Sequence, residues 1–314
     1  MNKPDLSLMM THYDRTHPRF SGAVTIDGAP LNVCPPPVQG DACYKPVYEQ
    51  FDIAEMSLSW YVMARLRGEP LIALPIFPLR MFIQPYLFCR EPSAINRPED
   101  LQGKRIGIQQ YRITVGLWAR GLLKERHGVD YALNKWLTSE PEGAGFQIPA
   151  DINLQLRDET LETLLLDGAL DALILPNVSK LFRAGDPRIR RVFADCRGAI
   201  DDYFQATGIF PITHTMVVHQ QLFAQYPWLC HQLVDAFNEA DRQCRIAYEY
   251  PKRFSFPTAV LFLEEEAKRF GETPWVHGLE PNRKVLEKFL AYAKDQGYIP
   301  FQPALEDIFA PLRD

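Results

Sequence analysis

The sequence predicts an α/β protein of about two domains. Short apolar runs of strand length alternate along the chain with longer segments that have helical spacing of their apolar residues. This alternation is typical of parallel sheets covered by helices, and not of a β-sandwich or a helix bundle. The length of 314 residues corresponds to about two domains. Hydrophobic residues make up 46% of the chain and charged residues 23%, the balance of an ordinary globular protein.

The first third of the chain is predicted to supply three strands and two helices. Ser57 is typical of a residue that opens a helix, and Pro78 ends a strand because proline has no N–H for a sheet. The predicted strands cover residues 6–10, 51–56 and 71–77, and the predicted helices cover residues 42–49 and 57–67.

The remaining two thirds contain four more predicted strands and six helices. Gly168 and Pro176 act as stop signals, since glycine readily ends a helix and proline interrupts a strand. The last third is rich in helices, so we expect it to wrap around a lobe that is built elsewhere. The predicted strands cover residues 104–108, 171–175, 190–193 and 215–218, and the helices cover 114–127, 160–167, 220–226, 228–248, 262–270 and 283–296.

Charge and composition indicate which partners to expect. A net charge of −5 argues against a nucleic-acid surface, which needs a concentrated basic face. No run of about 18 apolar residues is present, so no membrane span is predicted. Residues 1–20 are rich in charges and histidine and lack the apolar core of a secretory signal, which predicts a cytoplasmic location. The six cysteines form no CxxC pair, which favours reduced thiols over a zinc site.

Sequence motifs for common cofactors are missing from the chain. There is no GxGxxG after a strand, no Walker A sequence, no GxSxG and no HExxH. The sequence therefore predicts neither a nucleotide cofactor nor a bound metal.

Three predicted strand ends carry an arginine each, namely Arg15, Arg80 and Arg112. Ligands of open α/β sheets bind beyond the carboxyl ends of strands, where loops meet helix N-termini. A guanidinium is a planar fork that binds a carboxylate through two hydrogen bonds. We therefore predict an anion site from these arginines; the alternative for each is a solvated surface charge.

Hydroxyl residues follow two of the predicted strands, those at 51–56 and 104–108. Ser57 and Thr114 lie at predicted helix starts, and Ser59 follows in the first turn. Such residues are either simple N-caps or, together with backbone N–H groups, ligands for a carboxylate.

Two histidines are candidates for proton transfer, a task for which imidazole is well suited near neutral pH. His12 lies in the first loop and His214 directly precedes a predicted strand. Asp14 and Glu55 either act as bases or orient the histidine and the arginines. The sequence leaves the order of these roles open, and Tyr13 or one of the carboxyl groups is the rival proton donor.

Six motifs together resemble one known family, the 4,5-dihydroxyphthalate decarboxylases. The resemblance covers nearly the whole chain. The motifs are HYDRT at 12–16, FDIAEMSLS at 51–59, PIFPLR at 75–80, GKRIG at 103–107 with YRIT and WARG following it, TGIFPITH at 207–214 and GLEPNR at 278–283.

The resemblance implies a two-lobed type 2 periplasmic-binding-protein-like fold, with mixed sheets flanked by helices and two crossovers between the lobes. Lobe one would consist of residues 1–89 and 210–314, and lobe two of residues 90–209. The implied cleft has His12, Asp14 and His214 as catalytic candidates; its substrate-binding candidates are Tyr13, Arg15, Glu55, Ser57, Ser59 and Arg80 in lobe one and Tyr111, Arg112, Thr114 and Asn177 in lobe two.

The resemblance also implies an activity. It predicts a cofactor-independent decarboxylase of a dihydroxyphthalate-like aromatic diacid that gives a hydroxybenzoate and CO2. The alternative is a non-catalytic solute-binding protein for a small aromatic or other carboxylate, because fold does not fix function. The expected partner is a small aromatic carboxylate, and a homo-oligomer is compatible with either activity.

Three places depart from the family pattern and bear on substrate identity, because they change charged or hydrogen-bonding groups. Phe82-Ile83-Gln84 stands where the family often has Phe-Arg-His. Gln109-Gln110-Tyr111-Arg112 stands where Pro-Glu-Tyr-Gln is common. Asn177 stands where an arginine usually follows the proline.

Overall fold

The computed structural model describes residues 5–36, 50–143, 145–271 and 274–312. The chain divides into two compact units. The first unit contains the chain up to Arg80, then His214–Leu286, then the chain from Pro303 onward. The second unit contains Met81–Thr213 and Glu287–Gln302. None of the described helices combines the length and apolar character that a membrane crossing requires.

Each unit is built around one β-sheet. The strands are β1 (Leu6–Met9), β2 (Leu31–Cys34), β3 (Ile53–Ser57), β4 (Leu71–Leu74), β5 (Leu87–Arg90), β6 (Arg105–Ile108), β7 (Lys135–Thr138), β8 (Asn153–Leu156), β9 (Ala172–Ile174), β10 (Ile189–Arg191) and β11 (His214–His219).

Helices flank both sheets. They are α1 (His17–Phe20), α2 (Leu58–Leu66), α3 (Thr114–His127), α4 (Leu161–Leu166), α5 (Lys180–Arg183), α6 (Cys196–Thr207), α7 (Gln220–Gln225), α8 (Leu229–Tyr248), α9 (Ala259–Phe270), α10 (Arg283–Asp295) and α11 (Leu305–Ile308).

The sheet of the first unit has the order β2-β1-β3-β11-β4. Strand β1 is parallel to β2 and β3, whereas β11 is antiparallel to β3 and β4. All five residues of β3 are buried, as expected for a strand with neighbours on both edges and layers on both faces. Helix α8 closes one face by placing Leu233 and Phe237 in the core with Leu8 and Met216.

The sheet of the second unit has the order β10-β5-β9-β6-β7-β8 and is also mixed. Strand β6 is parallel to β7 and β9, and β5 is antiparallel to β9 and β10. Helix α3 follows β6 and is buried from Thr114 to Leu123. It ends at Gly128, whose positive φ of 66° is the left-handed conformation that glycine adopts without strain. The predicted mixed α/β architecture is confirmed.

Most predicted elements lie within two residues of their predicted bounds. Two bounds were wrong. Strand β4, predicted to reach residue 77, ends at Leu74 because Pro75 cannot continue the ladder. Helix α9 begins at Ala259, three residues before its predicted start at residue 262. Strands β2, β5, β7 and β8 and helices α1, α5, α6 and α11 were not predicted; β8 is largely exposed and so lacks a marked apolar run. The predicted helix at residues 42–49 lies outside the described residues.

The lobe boundaries differ from the predicted ones. The changes of unit fall at Arg80 and Thr213, so β5, placed partly in lobe one by the prediction, belongs wholly to the second sheet. Residues 287–302 also belong to the second unit, so the chain enters that unit a second time and returns to the first at Pro303, in addition to the two predicted crossovers. The reason is local packing: Phe289 and Tyr292 contact the indole of Trp118 on α3.

Candidate functional site

The centre of the candidate site in the first unit is Glu55, in the middle of strand β3 with none of its surface exposed. An ionised carboxylate is stable at such a position only if hydrogen-bond donors replace its lost water. Three donors do so. The Thr11 backbone N–H donates to Oε2 at 2.7 Å, the Tyr13 hydroxyl donates to Oε1 at 2.8 Å, and His214 Nδ1 lies 2.5 Å from Oε1.

These contacts determine the ionisation of Glu55. Burial alone would raise the pKa of Glu55, but the hydrogen bonds and the charge of His214, with those from Thr11 and Tyr13, more than offset it. The pKa of Glu55 is therefore lowered, and the carboxylate is ionised near neutral pH. An ionised Glu55 places a negative charge 2.5 Å from Nδ1 of His214.

Strand register explains why His214 meets Glu55. Strand β11 is antiparallel to β3, with His214 opposite Ser57 and Met216 opposite Glu55. Side chains two residues apart share one face of a strand, so His214 and Glu55 are diagonal neighbours on one face of the sheet. The imidazole is 15% exposed whereas the carboxylate is fully buried, so His214 is the more accessible member of the pair.

Arg15, in the loop after β1, is connected to this pair through Tyr13, whose hydroxyl donates to Glu55. Its Nη1 donates to Asp14 Oδ1 at 2.9 Å and its Nη2 donates to the Pro78 carbonyl at 3.0 Å. Its guanidinium carbon lies 3.4 Å from the centroid of the Trp275 ring and 5.2 Å from that of Tyr13. Arg15 thus contacts two aromatic rings, and 15% of its side chain is exposed.

Arg80 is the second guanidinium of the site and is almost fully buried. Its Nη2 donates to the Val276 carbonyl at 2.7 Å and to Asn282 Oδ1 at 2.5 Å. Burial lowers the pKa of Arg80 to about 10; the carboxylate of Asp241 opposes this effect and the nearby Arg15 adds to it. Arg80 remains charged at neutral pH, so the first unit contains two charged guanidiniums, Arg15 and Arg80, that are candidates for binding an anion.

The segment after β4 connects these groups through its backbone. The N–H of Phe77 donates to His277, the Pro78 carbonyl accepts from Arg15, and the Leu79 carbonyl accepts from the N–H of His214. Adjacent residues of one short segment, Pro78 and Leu79, therefore fix both a candidate anion ligand and the candidate proton donor.

Ser57 and Ser59 are both buried at the start of helix α2, with 3.5 Å between their hydroxyl oxygens. Ser57 is the N-cap residue, but its side chain makes no capping hydrogen bond. The N-cap interpretation of Ser57 is therefore not supported by the geometry.

Two catalytic candidates lie apart from Glu55. The His12 Nε2 atom is 3.0 Å from His17 Nδ1, and its ring packs on Phe20 at an exposed position. Asp14, also exposed, is engaged by Arg15 and by the Tyr248 hydroxyl. Of the two candidate histidines, only His214 contacts a candidate carboxylate, and that carboxylate is Glu55 rather than Asp14.

The candidates in the second unit form a separate cluster at the start of α3. Arg112 is 1% exposed, and its Nε lies 3.3 Å from Glu142 Oε2. The same carboxylate accepts hydrogen bonds from the backbone N–H groups of Tyr111 and Arg112. Thr114 is buried, whereas Asn177 is exposed in the loop after β9. The predicted anion site at Arg112 therefore contains a carboxylate of the protein itself.

Several residues at these sites were missed by the sequence analysis. Trp275, Asn282 and Glu142 were not singled out, and His277 was interpreted as a surface or structural residue. Asn282 falls in the motif GLEPNR, which could have indicated it; the others are recognisable only by contacts distant in sequence. Among the described residues, no group of three or more histidine, cysteine and acidic side chains is arranged to hold a metal ion.

Comparison with solved structures defines the class of protein. The periplasmic aliphatic sulphonate binding protein SsuA from Escherichia coli matches with a TM-score of 0.54 and 12% identity, covering 98% of this chain and 92% of that chain. The desulfurization enzyme DSZB matches with a TM-score of 0.55 and 19% identity, covering 98% and 97%. At these identities the matches show the fold alone: the protein has a two-lobed type 2 periplasmic-binding-protein-like fold.

Comparison with known sequences is more specific, although no family model matches the chain. The 4,5-dihydroxyphthalate decarboxylase of Comamonas testosteroni is 32% identical over 327 residues, which cover 99% of this chain and 98% of the relative. The protein of the same name from Pseudomonas putida is 33% identical over 217 residues, covering 66% of this chain and 83% of the relative. The chain belongs to the 4,5-dihydroxyphthalate decarboxylase family.

Proposed function

We propose that this protein is a carboxy-lyase that removes CO2 from a dihydroxyphthalate-like aromatic diacid. The observation that carries the proposal is the pair formed by His214 and the buried, ionised Glu55, in the same unit as the partly or fully buried guanidiniums of Arg15 and Arg80. The first arrangement supplies a proton donor and the second suits a substrate with two carboxylates. The decarboxylases to which the chain is related support this choice.

The proposed chemistry needs few groups from the protein. In 4,5-dihydroxyphthalate, each carboxylate has a hydroxyl group para to it. That hydroxyl pushes electron density towards the ring carbon that carries the carboxylate. A general acid protonates that carbon, the bond from the carbon to the carboxylate breaks, and its electron pair restores the aromatic ring as CO2 leaves. The product is 3,4-dihydroxybenzoate, and the reaction as written requires no cofactor.

His214 is the proposed acid. Its Nδ1 is engaged by Glu55, so proton donation would come from Nε2. Glu55 would stabilise the imidazolium before transfer, and solvent would reprotonate the ring afterwards. Arg15 and Arg80 would hold the carboxylate that is retained, which fixes the reacting carbon relative to the acid.

We propose a cytoplasmic location. The cysteines among the described residues are all free thiols, in keeping with a reducing compartment.

The test is incubation of the purified protein with three compounds, following CO2 release and thermal shift in parallel. 4,5-Dihydroxyphthalate should release CO2. Phthalate, which lacks the electron-donating hydroxyls, should raise the melting temperature without releasing CO2, and 3,4-dihydroxybenzoate should bind more weakly because it has one carboxylate. A thermal shift with 4,5-dihydroxyphthalate but no CO2 would contradict the proposal and favour a solute-binding protein.

A further inference from the structure

A short segment of the first unit, residues 275–278, contacts both guanidiniums of the site. The Trp275 ring lies against one face of Arg15, with 3.4 Å between the ring centroid and the guanidinium carbon. The next residue, Val276, accepts a hydrogen bond from Arg80 Nη2 at 2.7 Å through its carbonyl. We call residues 275–278 the arginine strap.

The arginine strap is clamped at His277, which is buried. The Phe77 N–H donates to His277 Nδ1 at 3.0 Å, which requires that nitrogen to be unprotonated. The ring proton therefore resides on Nε2, which lies 3.2 Å from Asp241 Oδ2. Both side chains are buried, with 4% and 5% exposed, but the contact between them is not a hydrogen bond, so it is the Phe77 N–H that orients the imidazole.

Backbone contacts on either side complete the clamp. The Gly278 N–H donates to the Pro75 carbonyl at 2.8 Å. The Asn282 amide donates to the carbonyls of Val276 and Gly278 at 2.9 and 2.8 Å. The Val276 carbonyl that holds Arg80 is thus itself held by a second donor.

The stacking of Trp275 limits the orientation of Arg15. Two of the five guanidinium N–H groups donate to Asp14 and to the Pro78 carbonyl, and no other hydrogen-bond acceptor for Arg15 is found among the described residues. An aromatic face at this distance attracts the cation and fixes the plane of the fork. A fork with a fixed plane loses less conformational entropy when a carboxylate binds, so it binds more tightly.

We propose that Trp275 and His277 are positioning residues for carboxylate binding: Trp275 sets the plane of Arg15, and His277 fixes the carbonyl that orients Arg80. This inference rests on the proposed function, in which both arginines hold the substrate. The arginine strap thereby selects for a ligand with two carboxylates in a defined geometry. Neither residue takes part in proton transfer.

The test measures binding of phthalate by calorimetry, because phthalate binding does not depend on turnover. Trp275→Leu should weaken phthalate binding by about 10- to 30-fold, corresponding to a cation–π contact of about 1.5–2 kcal/mol in a desolvated site. Trp275→Phe keeps an aromatic face and should restore affinity to within about threefold. With 4,5-dihydroxyphthalate, Trp275→Leu should raise KM and leave kcat within about threefold, as for a residue that acts only on binding.

A double-mutant cycle separates action through Arg15 from direct contact with the ligand. Arg15→Lys keeps the positive charge but replaces the planar guanidinium with an ammonium group. In the Arg15→Lys background, Trp275→Leu should cause little further loss of phthalate affinity. Additive losses, an unchanged affinity in Trp275→Leu, or equal losses in Trp275→Phe and Trp275→Leu would each overturn the role of Trp275.

His277 is tested with two variants of graded severity. His277→Asn keeps an acceptor for the Phe77 N–H and should retain more phthalate affinity than His277→Leu, with both checked for folding by thermal melting. Equal affinities in properly folded variants would overturn its role. A wild-type protein that binds phthalate but releases no CO2 from 4,5-dihydroxyphthalate would contradict the proposed function and leave this test intact, whereas a wild-type protein that binds neither compound would overturn both.

Discussion

Glu55 and His214 are 159 residues apart in sequence, yet Oε1 of the carboxylate lies 2.5 Å from Nδ1 of the imidazole. The antiparallel pairing of β11 with β3 brings them together on one face of the sheet. The carboxylate is fully buried and the imidazole partly exposed, so the negative charge that favours the imidazolium is shielded from solvent. This relationship assigns different tasks to the two candidate histidines and leads to the first prediction.

Replacement of His214 by asparagine should reduce single-turnover decarboxylation by about 10²–10⁴-fold, because it removes proton transfer while retaining some hydrogen bonding. His12→Asn is the matched control, since His12 packs on His17 and Phe20 instead of Glu55. It should react at a near-normal rate. A near-normal rate in His214→Asn would exclude His214 as the acid; near-normal rates in both variants would exclude histidine altogether and leave Tyr13, Asp14 or Glu55 as the rival donor.

Glu55 should stabilise the fold only while it is ionised. Its pKa is lowered in the folded protein, so its contribution to the free energy of unfolding is fully present above its unfolded pKa of about 4.3 and is lost as pH falls through the lower folded value. Urea melts between pH 3 and pH 7 should show a smaller loss of stability at acid pH for Glu55→Gln than for the wild type. Glu264→Gln, on the exposed face of α9, is the control and should follow the wild-type profile.

The arginines of the first unit should each contribute to ligand affinity. Arg15→Ala and Arg80→Ala should weaken phthalate binding by roughly 2–5 kcal/mol, the cost of removing one partner from a desolvated charge pair. Arg242→Ala, which removes an exposed cation paired with Glu239 on α8, is the control and should bind phthalate normally. Unchanged affinity in folded Arg15→Ala and Arg80→Ala would contradict a carboxylate site built from them.

Arg112 should contribute to stability through Glu142. Burial raises the pKa of Glu142 despite hydrogen bonds from Tyr111 and Arg112. Arg112→Ala should therefore lower the free energy of unfolding by about 3–5 kcal/mol at pH 7.5, because it leaves a buried carboxylate unpaired. The loss should be smaller near pH 5, where that carboxyl group becomes protonated more readily than in the wild type. An equal loss of unfolding free energy at both pH values would show that the Arg112–Glu142 ion pair is not the cause of the loss.

Candidate residues could be predicted from local signals but their grouping could not. Arg15 and Arg80 were predicted from the rule that ligands bind beyond strand ends, and both belong to the first unit. The segment 77–80 connects them to His214: Pro78 accepts from Arg15, Leu79 accepts from the N–H of His214, and Arg80 is the next residue. His12 was predicted by the same rule, but its ring turns towards His17. A strand-end signal specifies where the backbone lies, whereas the direction of a side chain depends on its tertiary neighbours.

The sequence by itself determined the α/β class, the family and most helices, because apolar periodicity and short motifs depend on residues close together in the chain. Only the tertiary structure decided that Glu55 pairs with His214, that residues 287–302 join the second unit, and that Glu142 occupies the predicted anion site at Arg112. Each of these depends on strand register or on side-chain packing between distant segments. Such contacts are selected by the total free energy of the folded chain, and no local pattern records them.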